Sequence, residues 1–272
     1  MKFNLLFYLY AFLNLNAAVV YSFEHDSPEK LEYLMDRRAG TEFLDKDNRP
    51  LIYYAIKYDR AQMAGMLIER KSPSEIKDKL GRYPYYYAFT FGRLEILKLM
   101  FDKAVKLPLP DDFGTTPLHL AAEFGYADII LALAGRGADV NAADKDSSAP
   151  LHYASRNGHF EAMASLIASG AEVNARDKYN NTPLYYVIKH GRMDMVKMLA
   201  EKGASLNSKS NDESTLLHCA AKYGQKEIAE FLLARGADAS ARDYFSKTPL
   251  YYAQKYNYAD VAEILAKPGS EA

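Results

Sequence analysis

The chain has 272 residues, enough for one large domain, two small ones or an array of repeats, and its 49% apolar content can bury a substantial core. A formal net charge of −1 argues against a generic nucleic-acid binder, which would carry a basic excess. The single cysteine, Cys219, excludes an intramolecular disulfide framework, has no neighbours suited to a thiolate or zinc site, and reads as a small buried apolar side chain.

Residues 1–22 start with Met1-Lys2 and the apolar run FNLLFYLYAFL, followed by small and polar residues. This is the layout of a secretory signal peptide, and the run is too short to span a bilayer as a helix. Cleavage after Ser22 would put Val20 and Ser22 at the small-residue positions; Ala17 and Ala18 offer other sites. The alternative is a hydrophobic helix that stays attached and caps the fold. In segment 23–44, SPEKLEYLMDRR predicts a helix with Ser27-Pro28 as its start signal. It has no first helix of its own unless residues 17–25 serve, so 23–44 is expected to be a half-repeat cap.

From Glu29 to Leu265 the chain keeps a ruler of 33, with the full repeats over residues 45–267. One column is Ala55, Ala88, Ala121, Ala154, Val187, Ala220 and Ala253. A second is large and apolar: Leu34, Leu67, Met100, Leu133, Leu166, Leu199, Leu232 and Leu265. A third, acidic but for Gln62, contains Glu29, Glu95, Asp128, Glu161, Asp194, Glu227 and Asp260. Three columns in phase identify a tandem array. Each unit reads as turn, short helix, glycine, second helix, glycine. Small alanines let helices approach closely, and Gly92, Gly125, Gly158, Gly191 and Gly224 end the first helices. The acidic column opens the second helices at the positive end of the helix dipole. Gly137, Gly170, Gly203 and Gly236 stop them. Helices this short are unstable alone, so each unit needs the next to cover its apolar face. The expected fold is an all-α repeat solenoid of about seven helix-turn-helix units joined by β-turn or hairpin loops, with residues 268–272 as a polar tail.

With TPLHLAAEFG, GADVNAAD and GAEVNARD at this period, the chain resembles the ankyrin repeat family over about residues 45–267. The resemblance is most specific in the repeats centred on residues 121, 154, 187, 220 and 253. In the first two, RPLIYYAI and RYPYYYAF replace the signature and the register carries the assignment. The resemblance implies a β-turn plus two antiparallel helices per unit, stacked with projecting turn tips.

His119, His152 and His218 share one column with Tyr53, Tyr86, Tyr185 and Tyr251. A metal site is not expected, because these histidines belong to different layers with no acidic or cysteine column converging on them. In proteins this chain resembles, that histidine ties adjacent turns together. Where tyrosine replaces it, tethering is in doubt, and the first two repeats are expected to be less rigid. His25, His159 and His190 stand alone. No phosphate loop, Cys–His pair or HExxH motif is present, so no catalytic residue, cofactor or metal is assigned.

Binding is the natural role. In stacks of this kind, the variable residues lie at turn tips and on the exposed face of the first helix, forming a concave surface. The pairs at the first-helix ends include Phe124, Arg156, Lys189-His190, Lys222-Tyr223 and Lys255-Tyr256, and the turn tips add Phe113, Tyr179, Tyr244 and Phe245. Lys178, Lys209, Arg242 and Lys247 lie close by in sequence. A basic, aromatic-lined groove over repeats 4–7 (residues 145–260) suits an acidic protein surface or an extended acidic peptide. Equally, lysine could simply solubilise the position while tyrosine packs against the neighbouring repeat. A structural or protective scaffold with no defined groove partner is the competing class. No nucleic acid and no membrane span after signal cleavage are expected, and the chain is expected to be a monomer, exported or, if the N-terminus is retained, a cytosolic adaptor. Asn180 in NNT fits a glycosylation acceptor on an exposed turn. Asn141, Asn174 and Asn207 resemble asparaginyl hydroxylation substrates, but an asparagine bonding its own turn is the simpler reading.

Overall fold

The computed structural model describes residues 15–36, 42–103 and 109–266. The start of the leader-like segment and the tail at 268–272 lie outside them. The chain divides into two compact units, Met1–Pro117 and Leu118–Ala272. The first contains α1 (Leu15–Glu24), α2 (Pro28–Leu34), α3 (Leu51–Lys57), α4 (Ala61–Glu69), α5 (Pro84–Thr90) and α6 (Leu94–Lys103). The second opens within α7 (Pro117–Glu123) and continues through α8 (Ala127–Gly135), α9 (Pro150–Asn157), α10 (Phe160–Ala168), α11 (Pro183–Lys189), α12 (Met193–Glu201), α13 (Leu216–Lys222), α14 (Lys226–Leu233), α15 (Pro249–Lys255) and α16 (Ala259–Leu265). The described residues form no strand; they contain two isolated bridges, Leu44 with Pro50 and Lys209 with Thr215.

Inside each unit, first helices pack on first helices and second on second: α1 on α3 on α5, and α2 on α4 on α6; then α9 on α11 on α13 on α15, and α12 on α14 on α16. Helices of one repeat also pack on each other, as α3 does on α4, α9 on α10 and α13 on α14. The expected all-α repeat solenoid is the observed class.

The 33-residue columns explain this packing. The small-residue column from Ala55 to Ala253 is wholly buried, as is the apolar column from Leu34 to Leu265. Both columns also end their helices. The carbonyl of the alanine-column residue accepts the N–H five residues on: Arg60 to Ala55 (2.8 Å), Tyr126 to Ala121 (2.8 Å), Gln225 to Ala220 (2.9 Å) and Tyr258 to Ala253 (2.8 Å). The leucine column does the same for second helices, as Ala171 to Leu166 (3.0 Å) and Ala204 to Leu199 (2.9 Å). These are Schellman closures, which explains why a residue of positive φ follows the helices so closed, such as Asp59 after α3, Gly125 after α7 and Gly224 after α13.

The cap expected as a half-repeat has a first helix, α1. Stepping back 33 from Ala55 gives Ser22, which is fully buried, and the Ser27 N–H closes on its carbonyl at 2.9 Å as the other repeats do. Arg60 Nε then donates to the Phe23 carbonyl (2.9 Å) and Nη2 to that of Glu24 (3.2 Å). Ala18, Val19 and Phe23 supply the buried face. Residues 17–25 therefore serve as the missing helix.

Candidate functional site

The turns that present the candidate residues are built on an aspartate. Asp45, Asp78, Asp111, Asp144, Asp177 and Asp243 stand 33 or 66 residues apart. The Oδ1 of each accepts the backbone N–H groups two and four residues on; at Asp144 both bonds are 2.8 Å. Such a carboxylate folds the turn locally. In five repeats Oδ2 also accepts a tyrosine hydroxyl nine residues on: Tyr54 to Asp45 (2.9 Å), Tyr153 to Asp144 (2.7 Å), Tyr87 to Asp78, Tyr186 to Asp177 and Tyr252 to Asp243. These clamps fix each turn to its own first helix, and they account for part of the unusual tyrosine content. Burial and the facing carboxylate push the phenols of Tyr87 and Tyr186 above their ordinary range.

Successive turns are joined by a second set of bonds. The Nε2–H of His119 donates to the Ser148 carbonyl (2.9 Å), that of His152 to Asn181 (3.2 Å) and that of His218 to Lys247 (3.0 Å). Nδ1 of His152 accepts from the Ala149 N–H, and Nδ1 of His218 from the Thr215 N–H, which fixes the neutral Nε2–H tautomer. Tethering persists in the repeats of Tyr53 and Tyr185. Asn48 Nδ2 donates to the Lys77 carbonyl and Lys79 N–H to that of Asp47 in the first unit. Asn180 Nδ2 reaches the Lys209 carbonyl, and Asn211 N–H that of Tyr179, in the second. The Arg49 guanidinium also lies over Tyr53 and Tyr87, 4.6 and 5.7 Å from their centroids. The two asparagine bonds are the substitutes; the backbone bond also occurs beside the histidines, as Lys178 N–H to the Asp146 carbonyl and Tyr244 N–H to that of Asp212. His159 does not stand alone either: its Nε2–H donates to the Glu123 carbonyl at 2.9 Å.

On this scaffold Phe113 is an exposed residue of the first unit, while the other candidates belong to the second. Tyr179, Tyr244 and Phe245 are exposed at turn tips, the last two edge to face at 5.5 Å. Phe124 is half-buried and stacks on Tyr126. Arg156 is exposed and lies 4.6 Å from the Tyr186 centroid. His190 is exposed; partial burial and neighbouring Lys189 lower its pKa.

The remaining candidates form a column. Lys189, Lys222 and Lys255 end α11, α13 and α15, first helices that pack in sequence. Lys189 and Lys222 approach the ring of Tyr223 from two repeats, at 5.6 and 5.8 Å. Lys255 lies 5.5 Å from Tyr256 and 5.9 Å from Tyr251. Among the described residues none of these lysines forms an ion pair, whereas Lys178 pairs with Asp146 and Lys209 with Glu213. The column is thus an uncompensated positive stripe edged by aromatic rings.

Beside it opens a cavity of about 350 Å³ lined by residues that include Tyr185, Ser210, His218, Cys219, Lys222 and Tyr252. Tyr179 also lines it, so the cavity brings together two of the sequence candidates, Tyr179 and Lys222. Cys219 is buried, and burial drives its thiol well above the ordinary range against the pull of Lys222 and Lys189. Among the described residues no group of three histidine, cysteine, aspartate or glutamate side chains could hold a metal ion, and no helix is long and apolar enough to cross a membrane.

No curated protein matches the chain significantly. The family model described as ankyrin repeats (3 copies) matches residues 66–144, 118–210, 151–243 and 206–272, together well over half of the chain. Repeats of this kind generally act as protein–protein interaction modules and are typically non-enzymatic. With this match covering most of the chain, in register with its helix pairs of 33 residues, the chain belongs to the ankyrin repeat family.

Proposed function

We propose that the second unit binds a partner protein through the first-helix face and turn tips of residues 145–260, and that the partner presents an acidic surface or an extended acidic segment. The lysine stripe carries this reading: Lys189, Lys222 and Lys255 recur at one register without carboxylate partners and beside aromatic rings. Lysines so placed steer an acidic partner, while the rings supply contact area at low entropic cost. The test is binding of poly-glutamate, followed by charge reversal at Lys189→Glu, Lys222→Glu and Lys255→Glu together. Binding by the native protein, lost in the variant with unchanged melting, supports the groove. Unchanged binding removes it and favours the scaffold reading.

The leader-like segment 1–22 supports export, to a secretory compartment, the periplasm or the medium. The buried face of α1 favours a second address, the cytoplasm, because cleavage after Ala18 or Ser22 would remove fully buried groups from the first repeat. Sequencing the N-terminus of the mature protein decides between them.

A further inference from the structure

The cavity beside the lysine stripe marks a broken pattern. Five repeats hold an aspartate and, nine residues on, a tyrosine whose hydroxyl meets it. In the repeat centred on residue 220 the same two places hold Ser210 and Cys219. Both line the cavity, and so does Tyr252, the clamp tyrosine of the next repeat. The repeat centred on residue 121 also lacks the tyrosine, but there a leucine, Leu120, takes the place and is buried. Only Ser210 and Cys219 are both small, and space opens beside them.

We propose that this cavity is a subsite for a tyrosine side chain of the partner, flanked by acidic residues; the inference rests on the groove reading above. The shape follows from the register, since the space is that of a phenol ring in the neighbouring repeats. Its walls are aromatic, with Tyr185 and Tyr252 on the lining, and aromatic rings prefer such edge and stacked neighbours. Its polar end matches a hydroxyl. Asp212 lines the cavity and spends Oδ1 on the Ser214 N–H at 3.1 Å, so a carboxylate oxygen remains to accept a phenol proton, as the clamp aspartates do. Ser210 Oγ is committed to Asn181 Oδ1 at 2.7 Å, leaving its lone pairs as acceptors. Lys222 at the same lining, with Lys189 and Lys255 one repeat to either side, meets carboxylates that flank the inserted ring. The partner's tyrosine thereby completes in trans the clamp that this repeat lacks in cis.

The experiment compares three polymers of equal length on the native protein: poly-glutamate, a glutamate–alanine copolymer and a glutamate–tyrosine copolymer. The tyrosine copolymer is expected to bind about tenfold more tightly than either of the others, the worth of one buried aromatic anchor. Cys219→Tyr fills the space with the ring that five repeats already accept. It should abolish that preference while leaving poly-glutamate binding and melting in place. If the tyrosine copolymer binds no better than poly-glutamate, the subsite is refuted and the lysine groove stands. If no polymer binds, both readings fall. Should Cys219→Tyr fold poorly, the comparison on the native protein still decides.

Discussion

Single atoms set the chemistry of the turns, and the histidines show it most directly. His152 and His218 each use both ring nitrogens, Nδ1 as acceptor and Nε2–H as donor, so a second proton would convert an acceptor into a clashing donor. Burial lowers the pKa of both rings and outweighs the facing charges that act the other way. Those are Asp177 at His152, with Arg156 adding to the lowering, and Asp243 and Asp212 at His218, with Lys209 adding to it. A base whose folded pKa lies below its unfolded value binds fewer protons when folded. Its stabilisation is complete above the unfolded pKa and is lost as pH falls through it towards the folded value. Each ring should therefore lower stability below about pH 6.5, with a slope approaching about 1.4 kcal/mol per pH unit. Urea midpoints measured at about pH 7.5 and about pH 5.5 check this. His152→Tyr, the residue that repeats with Tyr53 and Tyr185 already use, should flatten part of the dependence; an unchanged slope would place the titration elsewhere.

At the scale of the helix, what matters is how each one stops and what stands against its end. Gly203 and Gly224 both have positive φ, at +86° and +69°. A Cβ on Gly203, after α12, would meet nothing within 4 Å, while one on Gly224, after α13, would lie 2.5 Å from the ring of Tyr258. Gly203→Ala should therefore cost about 1 kcal/mol of backbone strain. Gly224→Ala should cost clearly more, because Tyr258 stands at the start of α16 and must shift. Equal losses in urea denaturation would show that the ring yields freely. The glycines, alanines and leucines behind this argument were legible, because a column that repeats every 33 residues reports a constraint acting on every layer. The aspartate–tyrosine clamps recur in five repeats, but the nine-residue spacing of Asp144 and Tyr153 matches no familiar motif and stays hidden among the alanine, leucine, acidic, histidine and glycine columns. The cavity was illegible for another reason. Ser210 and Cys219 look unremarkable until the clamp they replace is known, and a space left by small residues carries no motif. The lysine–aromatic pairs, by contrast, were visible in sequence, since Lys189, Lys222 and Lys255 share one register.

For the molecule as a whole, a linear array has an end problem: the first layer must present an apolar face on one side only. In the first unit α1 meets this need. Ala18 and Val19 are as buried as the alanines of the inner layers, and Tyr58 donates its hydroxyl to Glu24 at 2.7 Å beside the Arg60 bonds. A chain that starts at Phe23 lacks most of that helix, leaving α2 and α3 without a cover and the Phe23 and Glu24 carbonyls that accept from Arg60 no longer held by a helix. The lost burial of a few fully enclosed side chains corresponds to about 3 kcal/mol or more. In an array stabilised by neighbours the loss should stay local. Hydrogen exchange should accelerate in α2, α3 and α4 while α13 to α16 keep their protection, and the first melting step should move down. The chain from Met1 to Ala272 provides the reference. If the shortened chain melts and exchanges as the full one does, α1 is dispensable and the leader is free to be removed. If protection is lost from α2 onward, the segment that reads as a leader is also the first layer of the fold, and whatever cleaves it must act before residue 17.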